Sequence, residues 1–309
     1  MTDRAVVDDT REVVRIAGEE AGCFLQGLLT VDVETVTPAR TRYGALLTPQ
    51  GKLFAELVIW RDETHTFLLD VPAERREALV QRLRVYRLRA HVEIEPDPSW
   101  KVVVIPQAAP DRFGLDKAPG AARAGPEGSR IAVDPRLAAL GVRALVPLGR
   151  EAEFRARFDL TEGEVADWRA HRLALGVPEG PGELEWERIL ALEANLAALG
   201  GVDFDKGCYV GQEVTARMRY RARPKKRLLP VRIGGETAVP VPVVDAGGRE
   251  VGVLRAREGD RGLALLRIEP LSRPESHPLR AGSAVVTPFW PDWLEVEEKN
   301  PLHGAGDGV

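Results

Sequence analysis

Cysteine is almost missing from this 309-residue sequence, which contains only Cys23 and Cys208. Two cysteines cannot form a disulfide framework, and these two also lack the C-x-x-C spacing of a zinc ribbon or a redox pair. Because an iron–sulfur cluster usually takes four thiolate ligands, this chain alone could not hold one in the conventional way. The five histidines are scattered and form no H-E-x-x-H motif, so we predict no metal site.

Long apolar runs and an excess of positive charge are missing as well. The sequence has no stretch of 18 uninterrupted apolar residues, and its first residues contain no apolar segment of the secretory type. We therefore expect a cytoplasmic protein that has no membrane partner. The net charge is −4, so no overall basic field points to nucleic acid, and we expect no nucleic-acid partner.

Common catalytic motifs are also absent. The sequence contains no G-x-S-x-G elbow, no G-x-x-x-x-G-K-[ST] phosphate loop and no G-x-G-x-x-G motif after a predicted strand. Charged residues make up 29% of the chain, and pairs of acidic residues in such a chain are usually solvated surface. No class of reaction follows from these motifs alone.

The apolar residues that are present follow two patterns. Through about residue 223 short strands alternate with helices, including a hairpin in "RYGALLTPQGKLFAELVIW" and a helix in "TEGEVADWRAHRLALG" that Gly176 and Pro178 stop. Residues 106–130 are rich in Ala, Gly and Pro and are predicted to be a loop that need not pack. From residue 224 onward, short apolar runs separated by "GGE", "DAGGR" and "EGDRG" are typical of a small barrel or sandwich.

These patterns predict an α+β region over residues 1–223 and a β domain over residues 224–296, with a hinge near Pro224. Residues 297–309 are predicted to be a frayed tail. The fold class is therefore α+β with a small C-terminal β domain.

One short segment, "KGCYVGQE" at residues 206–213, combines unusual features. Gly207 and Gly211 allow a sharp turn, and a helix that begins near Gln212 would point its positive end over the loop. Lys206 and this helix end would both favour the thiolate of Cys208. The alternative is that Cys208 is a small buried side chain and Lys206 a surface charge, and the residues alone leave both interpretations open.

This segment, with "LEANLAALGGVDFD" before it, resembles the signature of the YgfZ-like folate-binding proteins, which are relatives of the glycine-cleavage T-protein aminomethyltransferase. "FLQGLLTVDV", "YRLRAHVEI" and "WRAHRLALGVPE" resemble further blocks of that family in the same order. The resemblance implies interlocked α+β domains and a C-terminal β-barrel around a central channel. It also implies that tetrahydrofolate or a related folate binds in the channel, and that iron–sulfur client enzymes or assembly factors are partners.

The resemblance and the chemistry of the side chains together predict roles for individual residues. Cys208 and Lys206 are the predicted catalytic pair, and Trp168 is predicted to stack on the folate, although its place on an apolar helix stripe also suits a core residue. Arg172 shares that face and is predicted to pair with a ligand carboxylate, the alternative being an arginine that snorkels to the surface. The remaining predicted folate contacts are Asn195, Tyr209, Gly211, Gln212 and Glu213.

Some of these residues have equally good structural interpretations. Asn195 would order the loop before the signature, Tyr209 would pack the loop down, and Gln212 and Glu213 would cap their own helix. Cys23 is predicted to lie in the core.

The sequence also departs from the related T-protein. That protein has an acidic pair on the strand after the glycine hairpin, where this sequence has Ala55 and Glu56. We therefore predict folate binding without glycine-cleavage activity. A glycine-cleavage type of aminomethyltransferase, in which Glu56 replaces the missing acid, is the first alternative. A nucleic-acid accessory protein acting in tRNA modification is the second.

The basic run "ARMRYRARPKKR" at residues 216–227 follows the signature. Its alternating arginines, with Pro224 after them, suggest an extended stretch with one basic face. We predict that this stretch binds the polyglutamate tail of a folate, the alternative being an exposed segment with ion pairs of its own.

Overall fold

Two open sheets and one closed barrel organise the part of the chain that the computed structural model describes, which is residues 3–62, 65–221, 224–271, 273 and 276–294. The strands of the two sheets are β1 (Arg4–Val7), β2 (Arg11–Ala17), β3 (Arg42–Leu47), β4 (Leu53–Arg61), β5 (Thr66–Pro72), β6 (Glu93–Pro96), β7 (Trp100–Pro106), β8 (Ala122–Ala124), β9 (Arg130–Val133), β10 (Gly141–Pro147) and β11 (Thr161–Glu162). The barrel strands are β12 (Lys226–Gly234), β13 (Val241–Val244), β14 (Glu250–Glu258), β15 (Arg261–Arg267), β16 (Leu279–Ala281) and β17 (Ala284–Pro288). The helices are α1 (Ala21–Gln26), α2 (Ala73–Arg87), α3 (Glu151–Arg157), α4 (Val165–Leu175), α5 (Gln212–Arg221) and α6 (Ile268–Leu271).

The first sheet has the strand order β3-β4-β5-β2-β6 and is antiparallel throughout. Almost every residue of β4 and β5 is buried, as their continuous apolar sequences predict, because the sheet has neighbours on both faces. Gly51, with φ +74°, makes the turn of the predicted β3–β4 hairpin, so this hairpin is confirmed. Helix α2 packs on β2 and β6.

The second sheet has the order β11-β1-β7-β10-β9-β8. It shares an apolar core with the first sheet, since Val104 and Leu145 of the second belong to the same buried cluster as Val58 and Leu68 of the first. The two sheets pack against each other, and several candidate functional residues lie in the interior between them.

The prediction that residues 106–130 form an unpacked loop is wrong. Strand β8 within this range pairs with β9, and Phe113 is fully buried against Phe158 at a ring-centroid distance of 4.7 Å. The prediction was based on the abundance of Ala, Gly and Pro, which favour turns. It overlooked the few apolar side chains in the segment that form the strand and the aromatic contact.

The barrel closes in the order β12-β15-β14-β13-β16-β17, with antiparallel pairing between the strands for which a register is observed. Its interior is aliphatic and contains, for example, Val231, Leu254, Leu266 and Val286. The prediction of an α+β fold with a small C-terminal β-barrel is confirmed. In the described ranges no helix has the length and apolar character needed to span a membrane. The predicted tail at residues 297–309 lies outside the described residues.

Candidate functional site

Lys206 anchors the signature loop to the turn that follows α1. Its ammonium Nζ donates to three backbone carbonyl oxygens, those of Gln26 at 2.8 Å, Leu29 at 2.7 Å and Val31 at 2.7 Å. Burial lowers the pKa of Lys206 to about 8. All three ammonium hydrogens are engaged by these carbonyls, so the geometry gives Lys206 a clamping role beside the role that the sequence predicts.

Cys208 is exposed on this anchored loop. The next residue, Tyr209, is buried, its ring centroid lies 5.4 Å from the Lys206 Nζ, and burial raises the pKa of its hydroxyl to about 12. Lys206 and Tyr209 therefore hold the loop from below while the thiol of Cys208 faces outward. Cys23 is exposed too, so its predicted core position is wrong. It lies on the outer side of the short α1, which buries Ala21 and Leu25 instead.

Gly211 allows a close approach between the signature loop and the β3–β4 hairpin. It has φ +82°, and a Cβ at this position would lie 2.5 Å from the carbonyl oxygen of Thr48 and 3.2 Å from the Cα of Gly51. Any side chain would both strain the backbone and push the two turns apart. Gly211 is therefore required for the fit of the loop against the hairpin.

Helix α5 begins at Gln212, as predicted. The backbone N–H of Gln212 donates to the backbone carbonyl of Tyr209 at 3.2 Å. The exposed Glu213 carboxylate accepts from Arg217 Nη2 at 2.6 Å, one turn along the helix. Arg219 lies over the Phe204 ring, 4.4 Å from its centroid.

The predicted extended conformation of the basic run is wrong through Arg221. Its residues up to Arg221 belong to α5, because Ala, Met and Arg are strong helix formers and outweigh the alternating pattern. In a helix a spacing of two residues does not place side chains on one face, so Arg217 and Arg219 do not share a face. Arg223, which the prediction also included, lies outside the described residues.

Trp168 lies on α4, a helix that a capping box of Glu164 and Asp167 starts and Gly176 ends. Its side chain is 3% exposed, and its Nε1 donates to Glu179 Oε1 at 3.1 Å. The indole thus lies in the interior between the sheets, as the interpretation of Trp168 as a core residue requires.

Arg172, one turn further along α4, is buried and does not snorkel. Its Nη1 and Nη2 donate to the two Glu183 oxygens at 2.6 and 2.7 Å, and Nη1 also donates to the Val177 carbonyl at 2.7 Å. The bidentate carboxylate partner predicted for a ligand is thus supplied here by the protein itself.

Asn195 joins the segment before the signature to the barrel. It has a left-handed backbone with φ +61°, and its Nδ2 donates to the Leu228 carbonyl at 2.6 Å. Its Oδ1 accepts from Arg227 Nη1 at 3.2 Å. Asn side chains tolerate this backbone region better than most residues, so Asn195 orders the connection to β12.

A buried network of charged side chains between the two sheets was not predicted. Asp70 is its centre on the first sheet, since Oδ1 accepts from Arg11 Nε at 2.7 Å and Oδ2 accepts from Arg143 Nε at 2.6 Å. Arg11 also pairs with Glu56. We define the network by its charged members, which are Arg11, Glu56, Asp70, Asp134, Arg136, Arg143, Arg172, Glu179 and Glu183.

The second half of the network surrounds Trp168. Arg136 donates to Asp134 Oδ2 at 2.8 Å and to Glu179 Oε2 at 2.6 Å, and its Cζ lies 5.8 Å from the Trp168 ring centroid. Burial raises the pKa of Glu179, but Arg136 and Arg143 outweigh it and hold that pKa well below its usual value. Glu179 is therefore a carboxylate at neutral pH.

The Glu56 carboxyl group differs from Glu179. Burial raises its pKa more than Arg11 lowers it. Tyr43, which packs beside Arg136, has its pKa raised well above the usual value, chiefly by burial. The network thus contains acids that are pushed in opposite directions, an arrangement typical of binding and catalytic sites.

Several buried atoms of this interior have unmet hydrogen-bonding capacity. Over the described ranges, Arg143 Nη1 and Nη2, Glu56 Oε2 and the Tyr43 hydroxyl have no hydrogen-bond partner. The two Arg143 nitrogens are 3.8 Å from Asp134 and 3.6 Å from Glu179, which is ion-pair distance only. Such atoms are costly unless something pairs with them. Buried donors and acceptors of this kind can pair with the polar groups of a bound ligand.

One sequence signal could have revealed the network. Glu56 and Asp70 each interrupt an apolar strand sequence, "FAELVIW" and "FLLDV", at a position where every neighbour is buried. A charged residue in a fully buried strand implies a buried partner. Among the residues whose placement is described, no three His, Cys, Asp or Glu side chains are grouped to hold a metal ion.

Comparison with known families matches two segments of the chain, one near each end. Residues 6–105 match the family described as "GCVT N-terminal domain", and residues 225–296 match "CAF17, C-terminal beta-barrel domain". Among solved structures, glycine cleavage system aminomethyltransferase T from Bartonella henselae is similar with a TM-score of 0.76, covering 93% of this chain and 85% of that one. At 14% identity this likeness shows the fold alone.

Curated relatives are more similar in sequence. The human protein "Iron-sulfur cluster assembly factor IBA57, mitochondrial" is 35% identical over 94% of this chain and 85% of its own length. The mouse protein of the same name is 32% identical over 92% of this chain and 84% of its own length. Both names state a mitochondrial location, so the predicted cytoplasmic location is wrong by this comparison.

Proposed function

The chain belongs to the family of the iron–sulfur cluster assembly factor IBA57, and from this premise we propose that it binds a folate and presents Cys208 during the assembly or repair of iron–sulfur enzymes. The resemblance of residues 206–213 to the YgfZ-like folate-binding proteins is part of this proposal. The observation that carries folate binding is the group of buried atoms on Arg143, Glu56 and Tyr43 with unmet hydrogen-bonding capacity.

The proposed folate site lies in the interior between the two sheets. Tetrahydrofolate or a related folate is the proposed ligand, and when bound it supplies one-carbon chemistry. Arg143 and Glu56 are the proposed donors and acceptors for the pterin, and Trp168 is the proposed stacking surface beside them. Glu179 and Glu183 orient Trp168 and Arg172 through the hydrogen bonds described above.

Cys208 is the proposed contact to the iron–sulfur substrate. Its thiol is exposed, whereas Lys206 and Tyr209 on either side are buried and fix the loop. A cluster usually takes four thiolates, and Cys208 is the one thiol on this loop, so a partner protein supplies the other ligands. The loop therefore acts at an interface with a client enzyme or an assembly factor.

Folate binding is tested most cleanly at Tyr43. Tyr43→Phe removes only a hydroxyl that has no partner within the described residues, so the free energy of unfolding stays close to that of the wild type. If the hydroxyl bonds to folate, calorimetric titration with tetrahydrofolate shows a loss of about 0.5–1.5 kcal/mol in binding free energy. Tyr220→Phe, at an exposed tyrosine, is the matched control. Equal affinity of all three proteins would contradict this placement of the ligand.

Thiol reactivity tests the proposed role of Cys208. The two single-cysteine proteins, Cys23→Ala and Cys208→Ala, each retain one exposed thiol. Iodoacetamide at neutral pH is expected to label Cys208 much faster than Cys23, because the thiolate is the reactive form and the loop precedes the positive end of α5. Equal labelling rates for the two thiols would contradict the proposal that Cys208 is activated. Cells carrying Cys208→Ala are expected to lose activity of iron–sulfur enzymes.

A glycine-cleavage type of aminomethyltransferase is a second candidate, and one observation favours it. The raised pKa of Glu56 resembles that of a general acid or base, although Arg11 occupies one of its oxygens. Incubation with tetrahydrofolate and an aminomethylated lipoyl carrier separates the two functions. We expect no methylene-tetrahydrofolate at enzymatic rates, and its formation would replace the first proposal.

A further inference from the structure

A cavity lies where residue 224 leads into the barrel. Its volume is about 570 Å³, and its lining consists of Pro224, Lys225, Lys226, Arg267, Ile268 and Glu269. Three of these six residues are cations, in a chain whose net charge is −4. The concentration of positive charge at this place is therefore opposite in sign to the chain as a whole.

Two of the cations are directly opposite each other in the barrel. Lys226 of β12 and Arg267 of β15 are antiparallel partners, and like charges in this position destabilise a sheet. Within the described ranges, no acidic side chain lies within ion-pair distance of Lys225, Lys226 or Arg267, and Glu269 is bound by Arg273. An anion in the cavity would relieve the repulsion between the two strands.

The same two strands contain an internal comparison. Arg232 and Arg261 are also cross-strand partners, at the other end of β12 and β15. There Arg261 Nε lies 3.5 Å from Asp260, and neither arginine lines the cavity. Among the residues that the structure describes, the pair at Lys226 and Arg267 thus differs from its counterpart in having a cavity beside it and no acidic side chain within ion-pair distance.

The strand that leads out of the cavity is joined to the segment before the signature. The Leu228 amide donates to the Glu193 carbonyl at 2.9 Å, and the Leu228 carbonyl accepts from Asn195. The first residues of β12 are therefore fixed against the segment that precedes the signature. Three other basic residues of this run are already engaged, since Arg217 pairs with Glu213, Arg219 lies over Phe204 and Arg227 donates to Asn195.

We propose that this cavity binds a chain of carboxylates, namely the γ-linked polyglutamate tail of a folate. The inference rests on the proposed function for the pterin end of the ligand. Three cations that have no ion-pair partner within the described part of the chain suit several carboxylates better than one, and the apolar surfaces of Pro224 and Ile268 suit the methylene groups between them. Lys225, Lys226 and Arg267 are thus the tail-binding residues, and Arg217 and Arg219 of α5 are not.

Calorimetry with a probe that lacks the pterin tests the site independently of folate binding. Penta-γ-glutamate is expected to bind the wild-type protein, and more weakly as salt is added. Arg267→Gln is expected to lower this affinity by about 1.4- to 5-fold, the range that one exposed ion pair gives. Arg232→Gln, the matched control from the same strand pair, is expected to leave it unchanged. Because both variants remove one of two facing cations, neither is expected to unfold the barrel.

A second titration compares mono- and pentaglutamyl tetrahydrofolate. The pentaglutamyl form is expected to bind more tightly, and the Lys225→Gln, Lys226→Gln, Arg267→Gln triple variant is expected to bind both forms equally. Equal affinities in the wild type and no binding of penta-γ-glutamate would overturn the tail site, while binding of the monoglutamyl form would still support the folate proposal. Binding of penta-γ-glutamate without binding of either folate would support the carboxylate site and contradict the folate function. Equal binding of penta-α-glutamate, with no gain from the folate tail, would overturn the tail in favour of an acidic protein segment.

Discussion

The interior of the barrel and the interior between the two sheets are built in opposite ways. The barrel encloses aliphatic side chains such as Leu229, Leu254 and Leu266. The two sheets enclose apolar side chains and, among them, four arginines and five acids with almost no exposure. An aliphatic interior is stabilised by burial itself, whereas a buried ion pair seldom stabilises more than apolar residues of the same volume would. The charged interior is therefore better explained by a site than by stability.

The sharpest test of this difference is Asp70→Asn. It leaves the guanidinium groups of Arg11 and Arg143 buried with one neutral acceptor between them. The expected loss is about 3–5 kcal/mol of unfolding free energy, as for the removal of one partner from a buried ion pair. Urea denaturation at neutral pH measures it. A loss of unfolding free energy below about 1 kcal/mol would mean that water solvates the two guanidinium groups or that another acid pairs with them.

The corresponding test in the barrel is Leu254→Ala. Leu254 is fully buried, and its truncation leaves a cavity that costs about 2–5 kcal/mol. Because no charge is involved, this loss is expected to be the same at pH 5 and pH 7, whereas the loss for Asp70→Asn depends on the charge of its neighbours. Measurement of both variants at both pH values compares the two interiors directly. A pH-dependent loss for Leu254→Ala would show that the barrel is coupled to the charged interior.

The barrel could be predicted from the sequence because its information is local. Runs such as "LLPVRI" and "EVGVLRA" alternate or repeat apolar residues between glycine-containing turns, and this pattern alone indicates short antiparallel strands. The first sheet was predictable for the same reason, through its hairpin and the apolar sequences of β4 and β5. Strands β1, β8 and β9 and the barrel strands β16 and β17 were not predicted, and each of them has three to five residues.

The charged interior could not be predicted in the same way. Arg11 and Asp70 are 59 residues apart, and Asp70 and Arg143 are 73 apart, so no local pattern links them. Each of these residues looks like ordinary surface in a chain with 29% charged residues. The signature loop was visible as a unit, yet the clamp of Lys206 on three carbonyls depends on the turn after α1, about 180 residues earlier in the chain. Pairing across such distances is set by the sheets that carry the residues.

Lys206 is an intermediate case, a buried charge held by carbonyl groups and not by carboxylates. Its pKa is lowered to about 8 from a usual 10.5, so between these values the unfolded chain binds more protons than the folded chain, and the free energy of unfolding rises with pH. Urea denaturation of the wild type at pH 8 and pH 10 is expected to show this rise, and Lys206→Met is expected to lack it. Tyr209, with a pKa of about 12, contributes the opposite slope only above pH 10. A wild-type slope equal to that of the variant would mean that the carbonyls keep the ammonium charged.

The smallest expected effect belongs to the exposed end of the signature. Glu213 and Arg217 are paired at 2.6 Å, but their side chains are 83% and 61% exposed. Water and salt weaken such a pair, and one with the acid four residues before the base contributes only about 0.2–0.5 kcal/mol. Glu213→Gln is therefore expected to change the unfolding free energy by no more than this, and less at high salt. The same variant also tests the sequence prediction that Glu213 contacts folate. If its tetrahydrofolate affinity falls by tenfold while its stability stays the same, Glu213 belongs to the ligand site. If both stay the same, the pair is a surface feature of α5, and the contrast between buried and exposed charges extends along the whole signature.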